Sequence, residues 1–139
     1  MAADDVDVSI LICVHNQARL TRECIESLWP TLPEHLRVEV LVYDDHSTDE
    51  TASLLERLAD RVRTVRDAER GWFGRNMNRL AAEARGRWIC LLNNDVLLHP
   101  RWLEAMVELA GKHPAAGVIG NFHRFPQTGR RSEEHTSEL

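Results

Sequence analysis

Apolar, β-branched runs alternate along this chain with stretches whose apolar residues recur every three or four positions. Val8–Val14 (VSILICV) is a continuous apolar run, the pattern of a strand covered on both faces, as in a parallel sheet. From Ala18 to Trp29 the apolar positions fall at Leu20, Cys24, Ile25 and Leu28, which is helical spacing, and Pro30 ends the pattern. Val38–Tyr43 (VEVLVY) predicts a second strand. Ser47 followed three residues later by Glu50 matches a capping box, with a helix expected from Thr48 to Leu58. Val62–Val65 is a short third strand. Phe73–Ala84 reads as a helix closed by Gly86 as its C-cap. Trp88–Leu92 (WICLL) is expected to be another buried strand. Pro100–Ala110 reads as a helix with proline in its first turn, and Ala116–Gly120 (AGVIG) as a last short strand. Alternation of this kind predicts βαβ units: an α/β fold whose mostly parallel sheet is flanked by helices.

Composition narrows the class. The 139 residues suffice for one domain, and 43% hydrophobic with 28% charged residues is the balance of a globular protein. No apolar run approaches the roughly 20 residues that cross a bilayer. Met1–Asp7 carries three aspartates and no basic residue, unlike a secretory signal, so a cytoplasmic location is expected. Cys13, Cys24 and Cys90 are too scattered for a disulfide framework, and small buried hydrophobes are the expected role. A net charge of −5 excludes a general nucleic-acid binder.

Arg131–Leu139 (RSEEHTSEL) is similar to a sequencing-adapter oligonucleotide read through as coding sequence. It is polar, lacks periodicity and follows a loop-like FPQTGR. Residues 1–130 are therefore expected to form the domain and 131–139 a non-native tail, with the natural gene continuing beyond. Without the tail's one arginine and three glutamates the net charge is −3 instead of −5.

In an open α/β sheet, ligands bind beyond the carboxyl ends of the strands. Three such ends are polar: His15-Asn16-Gln17, Asp44-Asp45-His46-Ser47 and Asn93-Asn94-Asp95. A nucleoside diphosphate sugar has a base to be read and a diphosphate to be neutralised. Asp44 can accept the imino N–H of uracil or thymine, and Asp95 can hold Mg²⁺ or Mn²⁺ together with substrate phosphates. Each cluster alone also suits a turn or helix cap. His15, His46 and His99 show no mutual ligand spacing. Trp29, Trp88 and Trp102 read as packing residues, and Trp72 as a loop residue facing the crevice.

Taken in order, these segments resemble family 2 glycosyltransferases. VSILICVHNQ resembles the family's opening strand, with Val14 and His15 departing from its usual residues and Asn16 keeping its asparagine. VEVLVYDDHSTDET resembles the strand-Asp-Asp-Gly-Ser-Thr-Asp signature, with His46 in place of glycine. Asn78–Gly86 resembles the Asn-x-Gly-x-x-x-Ala-x-Gly helix, with Arg79 and Leu80 standing where the family often has glycine and an aliphatic residue. WICLLNNDVLLHPRWLE resembles the metal-binding segment, with Asn93 replacing the first aspartate of Asp-x-Asp.

The resemblance covers Val8–Asn121 and implies a truncated Rossmann-like nucleotide-diphospho-sugar transferase (GT-A) fold. It implies an inverting transferase of the rhamnosyltransferase-like branch, moving a sugar from a UDP- or dTDP-linked donor to a glycan or lipid-linked acceptor. Asp44 would bind the base, with Val14, His15 and Asn16 lining the same pocket and Asp45 supporting it. Arg75 and Asn78 would lie near the diphosphate, with Asn93 and Asn94 flanking Asp95 as the metal ligand. The general base is expected in a missing C-terminal half, so this chain is expected to bind donor without turnover, and Glu133 and Glu134 are not assigned to it. The full-length enzyme would associate with the inner face of the membrane. A receiver- or flavodoxin-like signalling module and a nucleotide-sugar-binding pseudoenzyme stand as alternatives. The donor reading requires Asp44 and Asp95 to converge on a shared cleft at one rim of the sheet, and it would collapse if either were buried against an unrelated arginine.

Overall fold

A computed structural model describes residues 5–121. The first four residues and the expected tail at 131–139 lie outside the described residues. Four strands, β1 (Val8–Val14), β2 (Val38–Asp44), β3 (Val62–Val65) and β4 (Trp88–Leu92), form one sheet in the order β3-β2-β1-β4. Every pairing is parallel. The helices are α1 (Ala18–Leu28), α2 (Thr51–Arg57), α3 (Trp72–Glu83) and α4 (Trp102–Lys112).

The period-2 alternation of strands divides the core in two. Val8, Ile10, Ile12 and Val14 of β1, with Val40 and Val42 of β2, pack against Cys24, Ile25 and Leu28 of α1, Leu55 of α2 and Leu103 of α4. Leu11, Leu41 and Tyr43 point the other way, against Met77 and Leu80 of α3. Helices thus cover both faces of β1 and β2, which explains runs that are apolar but for Ser9, Glu39 and Asp44. It is one-sided over β4: Ile89 and Leu91 remain 51% and 60% exposed, because α3 contacts β1 and β2. The expectation of a doubly buried fourth strand holds for one of its faces.

Five local expectations are corrected. Helix α2 starts at Thr51, and no Ser47–Glu50 capping box forms: Ser47 Oγ instead accepts Asn16 N–H at 2.7 Å. Asp49 performs the capping, accepting Thr51 N–H at 2.9 Å with one oxygen and Ala18 N–H, at the start of α1, at 3.1 Å with the other. One carboxylate thus satisfies open amides on two helices.

Gly86 is no C-cap, since α3 ends at Glu83 and no described glycine has positive φ. Its value is close approach. Gly86 N–H donates to Ser9 Oγ at 2.8 Å, and a Cβ there would sit 2.8 Å from the Val8 carbonyl carbon and against the Ser9 amide nitrogen. Gly86→Ala is expected to cost about 2 kcal/mol, because β1 is the central strand and cannot yield. Equal denaturation midpoints for the variant and the parent chain would refute the crowding argument.

Ala116–Gly120 forms no strand. Val118 is 92% exposed, and the segment instead borders an apolar groove with Val8, Trp88, Met106 and Val107. An apolar pentapeptide becomes a strand only where a sheet edge takes up its backbone groups. Pro30 does not stop α1 abruptly but enters a 3₁₀ turn at Trp29–Thr31, and α4 starts at Trp102, after Pro100.

Candidate functional site

The register fixes where the polar strand ends lie. β1 runs in step with both neighbours, pairing Val14 with Asp44 on one side and Ile12 with Leu92 on the other. The Asp44-Asp45 end of β2 and the Asn93–Asp95 turn after β4 therefore flank the end of β1 at the same carboxyl edge of the sheet. The strand ends that carry Asp44 and Asp95 thus share one edge, while Asp44 itself is buried against Arg66, an arrangement adverse to the donor reading.

The β1 and β2 ends are clasped together. Asp45 N–H donates to Val14 C=O at 2.8 Å, extending the ladder by one bond. His15 Nδ1 lies 2.7 Å from Asp45 C=O. Asn16 Oδ1 accepts Thr48 N–H at 2.7 Å and Asp49 N–H at 3.3 Å. Asn16, Gln17 and His46 all have positive φ (56°, 60° and 60°), so both loops turn sharply at the strand ends. The asparagine and serine of HNQ and DDHSTD thus serve each other's backbones, and His15 is the exposed side chain of the clasp.

The two aspartates differ in role. Asp44 is 2% exposed; one oxygen accepts Ser47 N–H at 2.9 Å and the other meets Arg66 Nη1 at 3.0 Å. Arg66 follows β3 and is itself 42% exposed, so the pair lies at the rim, not inside the core. Asp45 is 4% exposed and faces the loop before α3, accepting Gly71 N–H at 2.9 Å and meeting Arg70 Nε at 3.3 Å. Burial pushes the Asp45 pKa up, but the Gly71 amide, Arg70 and Asn76 outweigh it and hold the carboxyl below its ordinary value.

Sequence reasoning did not single out Asn76, which is fully buried beside Asp45. Its Nδ2 approaches Cys13 Sγ at 3.5 Å, and its Oδ1 is buried without a partner among the described residues. A Cβ on Gly71 would strike that oxygen, so glycine is needed where the loop crosses the asparagine. Asn78 is exposed and six residues into α3, about 9 Å down an axis that runs away from the carboxyl edge. Helical spacing held the signal: Asn76 and Leu80 are four apart on the buried face, and Asn78 is off it. Arg75, also exposed, lies in the first turn next to Gly71. Trp72 opens α3 with φ 61° and is 71% exposed, with Arg70 stacked on its ring at 4.7 Å. Trp29, Trp88 and Trp102 pack on the core as expected.

On the other side of β1, Asn94 turns inward, donating to Thr21 Oγ1 on α1 at 3.0 Å. Asn93 and Asp95 are exposed, and Asp95 makes no hydrogen bond or ion pair among the described residues. No group of three or more His, Cys, Asp or Glu side chains that could hold a metal occurs among the described residues. One free carboxylate beside two amides is too sparse a donor set to bind a divalent cation alone. It fits the Mg²⁺ type of site, in which one or two carboxylates are completed by substrate phosphates.

This parallel sheet with helices on both faces has the GT-A fold of the solved glycosyltransferases it superposes on. TarS from S. aureus (residues 1–349), solved in complex with UDP-GlcNAc, superposes with a TM-score of 0.70 at 21% identity, over 78% of this chain and 32% of that one. The mannosyltransferase PcManGT from Pyrobaculum calidifontis, in complex with GDP-Man and Mn²⁺, gives 0.66 at 24% identity, over 85% of this chain and 35% of that one. The family model for glycosyl transferase family 2 matches residues 9–138, and the chain belongs to that family. The matched span includes residues 131–138, in the segment expected to be foreign. Among curated relatives, the succinoglycan biosynthesis protein ExoO of Rhizobium meliloti is 35% identical over 126 residues, 89% of this chain and 35% of the relative. The glycosyltransferase GlyG of Streptococcus pneumoniae is 21% identical over 124 residues, 87% of this chain and 40% of the relative. The chain thus spans well under half the length of these relatives. No helix among the described residues is long and apolar enough to cross a membrane.

Proposed function

We propose that this chain is the donor-binding part of an inverting glycosyltransferase, gripping a nucleoside diphosphate sugar across the carboxyl edge of the sheet. The observation that carries the reading is the shared register, which puts Asp44 and the Asn93–Asp95 turn on either side of the end of β1. Family membership removes the receiver-like alternative.

Asp44 is not a bare acceptor, because Arg66 lies on it. On this reading the half-exposed Arg66 must swing aside or share the carboxylate oxygen for a base to reach the buried Asp44, so that the base is read by carboxylate and guanidinium together. That pair is complementary to the imino N–H and neighbouring carbonyl of uracil or thymine, and equally to N1–H and O6 of guanine. His15 and the main chain at Val14–Asn16 line the same end, with Asp45 holding the Gly71 loop beneath it. Arg75, on the first turn of α3, is assigned to the diphosphate. Asn78 is assigned no contact, given its place down the helix. Asp95 would hold Mg²⁺ or Mn²⁺ jointly with the donor's phosphates, Asn93 lying beside it. A divalent ion bound there supplies charge stabilisation for the departing diphosphate. The PcManGT complex with GDP-Man and Mn²⁺ supports divalent-ion use, and the TarS complex with UDP-GlcNAc supports a nucleotide sugar.

In the whole enzyme, sugar transfer to a glycan or lipid-linked acceptor at the inner face of the membrane is the reading we favour. The name of ExoO supports a cell-surface polysaccharide. A carboxylate base would deprotonate the acceptor hydroxyl in a single displacement, and we assign that base to no described residue. The 139-residue chain is expected to bind donor without transferring sugar.

Calorimetric titration with UDP, dTDP and GDP, each with and without Mn²⁺, tests this. Saturable binding that tightens with Mn²⁺ is expected. Asp44→Asn, folded as judged by its melting curve, is expected to weaken the best nucleotide by about 10- to 100-fold, the loss of a charge-assisted hydrogen bond. Absence of binding to all three nucleotides would refute the donor reading, and sugar transfer by the purified chain would refute the binding-only part.

A further inference from the structure

The turn carrying Asp95 has no regular structure of its own. Residues 93–101 connect β4 to α4 without helix or strand, and Arg101 ends them at φ 67°. Such a connection needs outside partners for its backbone and side chains. They come from one side of α1 and the 3₁₀ turn after it. Thr21 Oγ1 accepts Asn94 Nδ2 at 3.0 Å; Cys24 Sγ lies 3.5 Å from Asn93 C=O; Ser27 Oγ accepts Leu98 N–H at 3.0 Å; Thr31 Oγ1 accepts Trp102 Nε1 at 2.9 Å. The spacings of three, three and four make these residues a single stripe along the helix.

The stripe is built to be rigid. Thr21 is fully buried and Cys24 nearly so. Ser27 and Thr31 each donate their own hydroxyl proton back to a carbonyl one turn earlier, Cys24 C=O at 2.8 Å and Leu28 C=O at 2.7 Å. With its proton committed, each hydroxyl offers the turn a fixed lone pair. Asn94, which the motif pattern offers as a ligand-side residue, faces α1 instead and leaves Asn93 and Asp95 exposed on either side. An alternation of out, in, out across three residues makes the inward contact the one that orients the other two.

We propose that Thr21, through Asn94, is the positioning residue for Asp95: it sets the direction of the metal-binding carboxylate without touching donor or ion. This rests on the donor-site reading above. Second partners that orient ligating groups are ordinarily worth about 10- to 100-fold in metal affinity. Thr21→Val removes the hydroxyl while keeping the buried shape, and Thr21→Ser keeps the hydroxyl.

The test compares UDP affinity with and without Mn²⁺ for the wild-type chain, Thr21→Val, Thr21→Ser and Asn94→Ala. The Mn²⁺-dependent gain is expected to fall about tenfold in Thr21→Val and in Asn94→Ala. Metal-free UDP affinity should stay unchanged, and Thr21→Ser should keep the gain. A merely structural role for Thr21 would weaken both affinities together. A full Mn²⁺ gain in folded Thr21→Val overturns the proposal, and should that variant fail to fold, Asn94→Ala decides alone. Amide hydrogen exchange across 93–98 in the ligand-free chain gives an independent measure. It should quicken in both hydroxyl- and amide-deleted variants, and unchanged exchange overturns the proposal even if the wild type shows no metal effect. A wild type without metal effect but with the quickened exchange would instead sink only the metal part of the donor-site reading.

Discussion

Asp45→Ala is expected to destabilise the chain by about 3 kcal/mol, out of the 5–15 kcal/mol typical of a domain. The carboxylate accepts the Gly71 amide and meets Arg70, with the Asn76 side chain beside it helping to favour the ionised form, and Asp45, Gly71 and Asn76 are buried. Truncation leaves the Gly71 N–H without its acceptor and Asn76 with one fewer polar neighbour, in a place water does not reach. Arg70 adds little, being 44% exposed and able to turn to solvent. The melting midpoint should fall by about 10 °C for a domain of this size. The pH dependence carries a sign. The folded-state pKa of Asp45 lies below its ordinary value of 3.8, so its stabilisation is present above pH 3.8 and is lost as the pH falls through the lowered value. Urea denaturation between pH 7 and pH 2.5 should therefore show the wild type losing its advantage over Asp45→Ala in the acid range. Parallel stability curves down to pH 2.5 would show that the hydrogen bonds do not favour the ionised form.

Asp95→Ala is expected to remove the Mn²⁺-dependent gain in nucleotide affinity, a loss of at least about 100-fold, above the range seen when only an orienting partner is lost. The reason is the sparseness of the site. Asp95 is exposed, and the described residues hold no group of three acids, histidines or cysteines to take its place. With Asn93 where a second carboxylate would sit, no neighbouring side chain carries the charge. Stability should hardly change, since the carboxylate has no partner among the described residues. Calorimetric titration of UDP with and without Mn²⁺ reads the effect. Retention of the gain in Asp95→Ala would place the ion elsewhere.

Much of this was legible in the chain. β1 and β2 announce themselves because they are central strands, covered on both faces, so their side chains are apolar but for the Ser9–Glu39 pair and the Asp44 end. β4 carries the same kind of run but is covered on one face only, since coverage depends on where α3 comes to rest. The polar strand ends were equally legible, as the carboxyl edge of a parallel sheet is set by connectivity. What was not legible is the partnership of each side chain. Ser47 and Glu50 fit a local capping pattern, yet the serine is drawn off by Asn16 from thirty-one positions away. By pattern Asp49 falls inside the first turn of α2; it instead precedes the helix, accepting open amides of two helices. Asn76 and Asn78 are two residues apart, and only the buried face of α3 tells them apart. The ion pair of Arg66 with Asp44 spans 22 positions and has no local signature. Ala116–Gly120 has strand chemistry, but it does not pair with the free edge of β4 and stays outside the sheet.

Helix α1 receives Asp49 at its first turn and supports the 93–98 turn along its side. The two halves of the cleft are in this way mounted on one beam. A shift of that beam carries both, and neither slides past the other to suit a longer or shorter ligand. On the proposed donor reading, the span between base and diphosphate would be set by the body of the helix, as a gauge of fixed length.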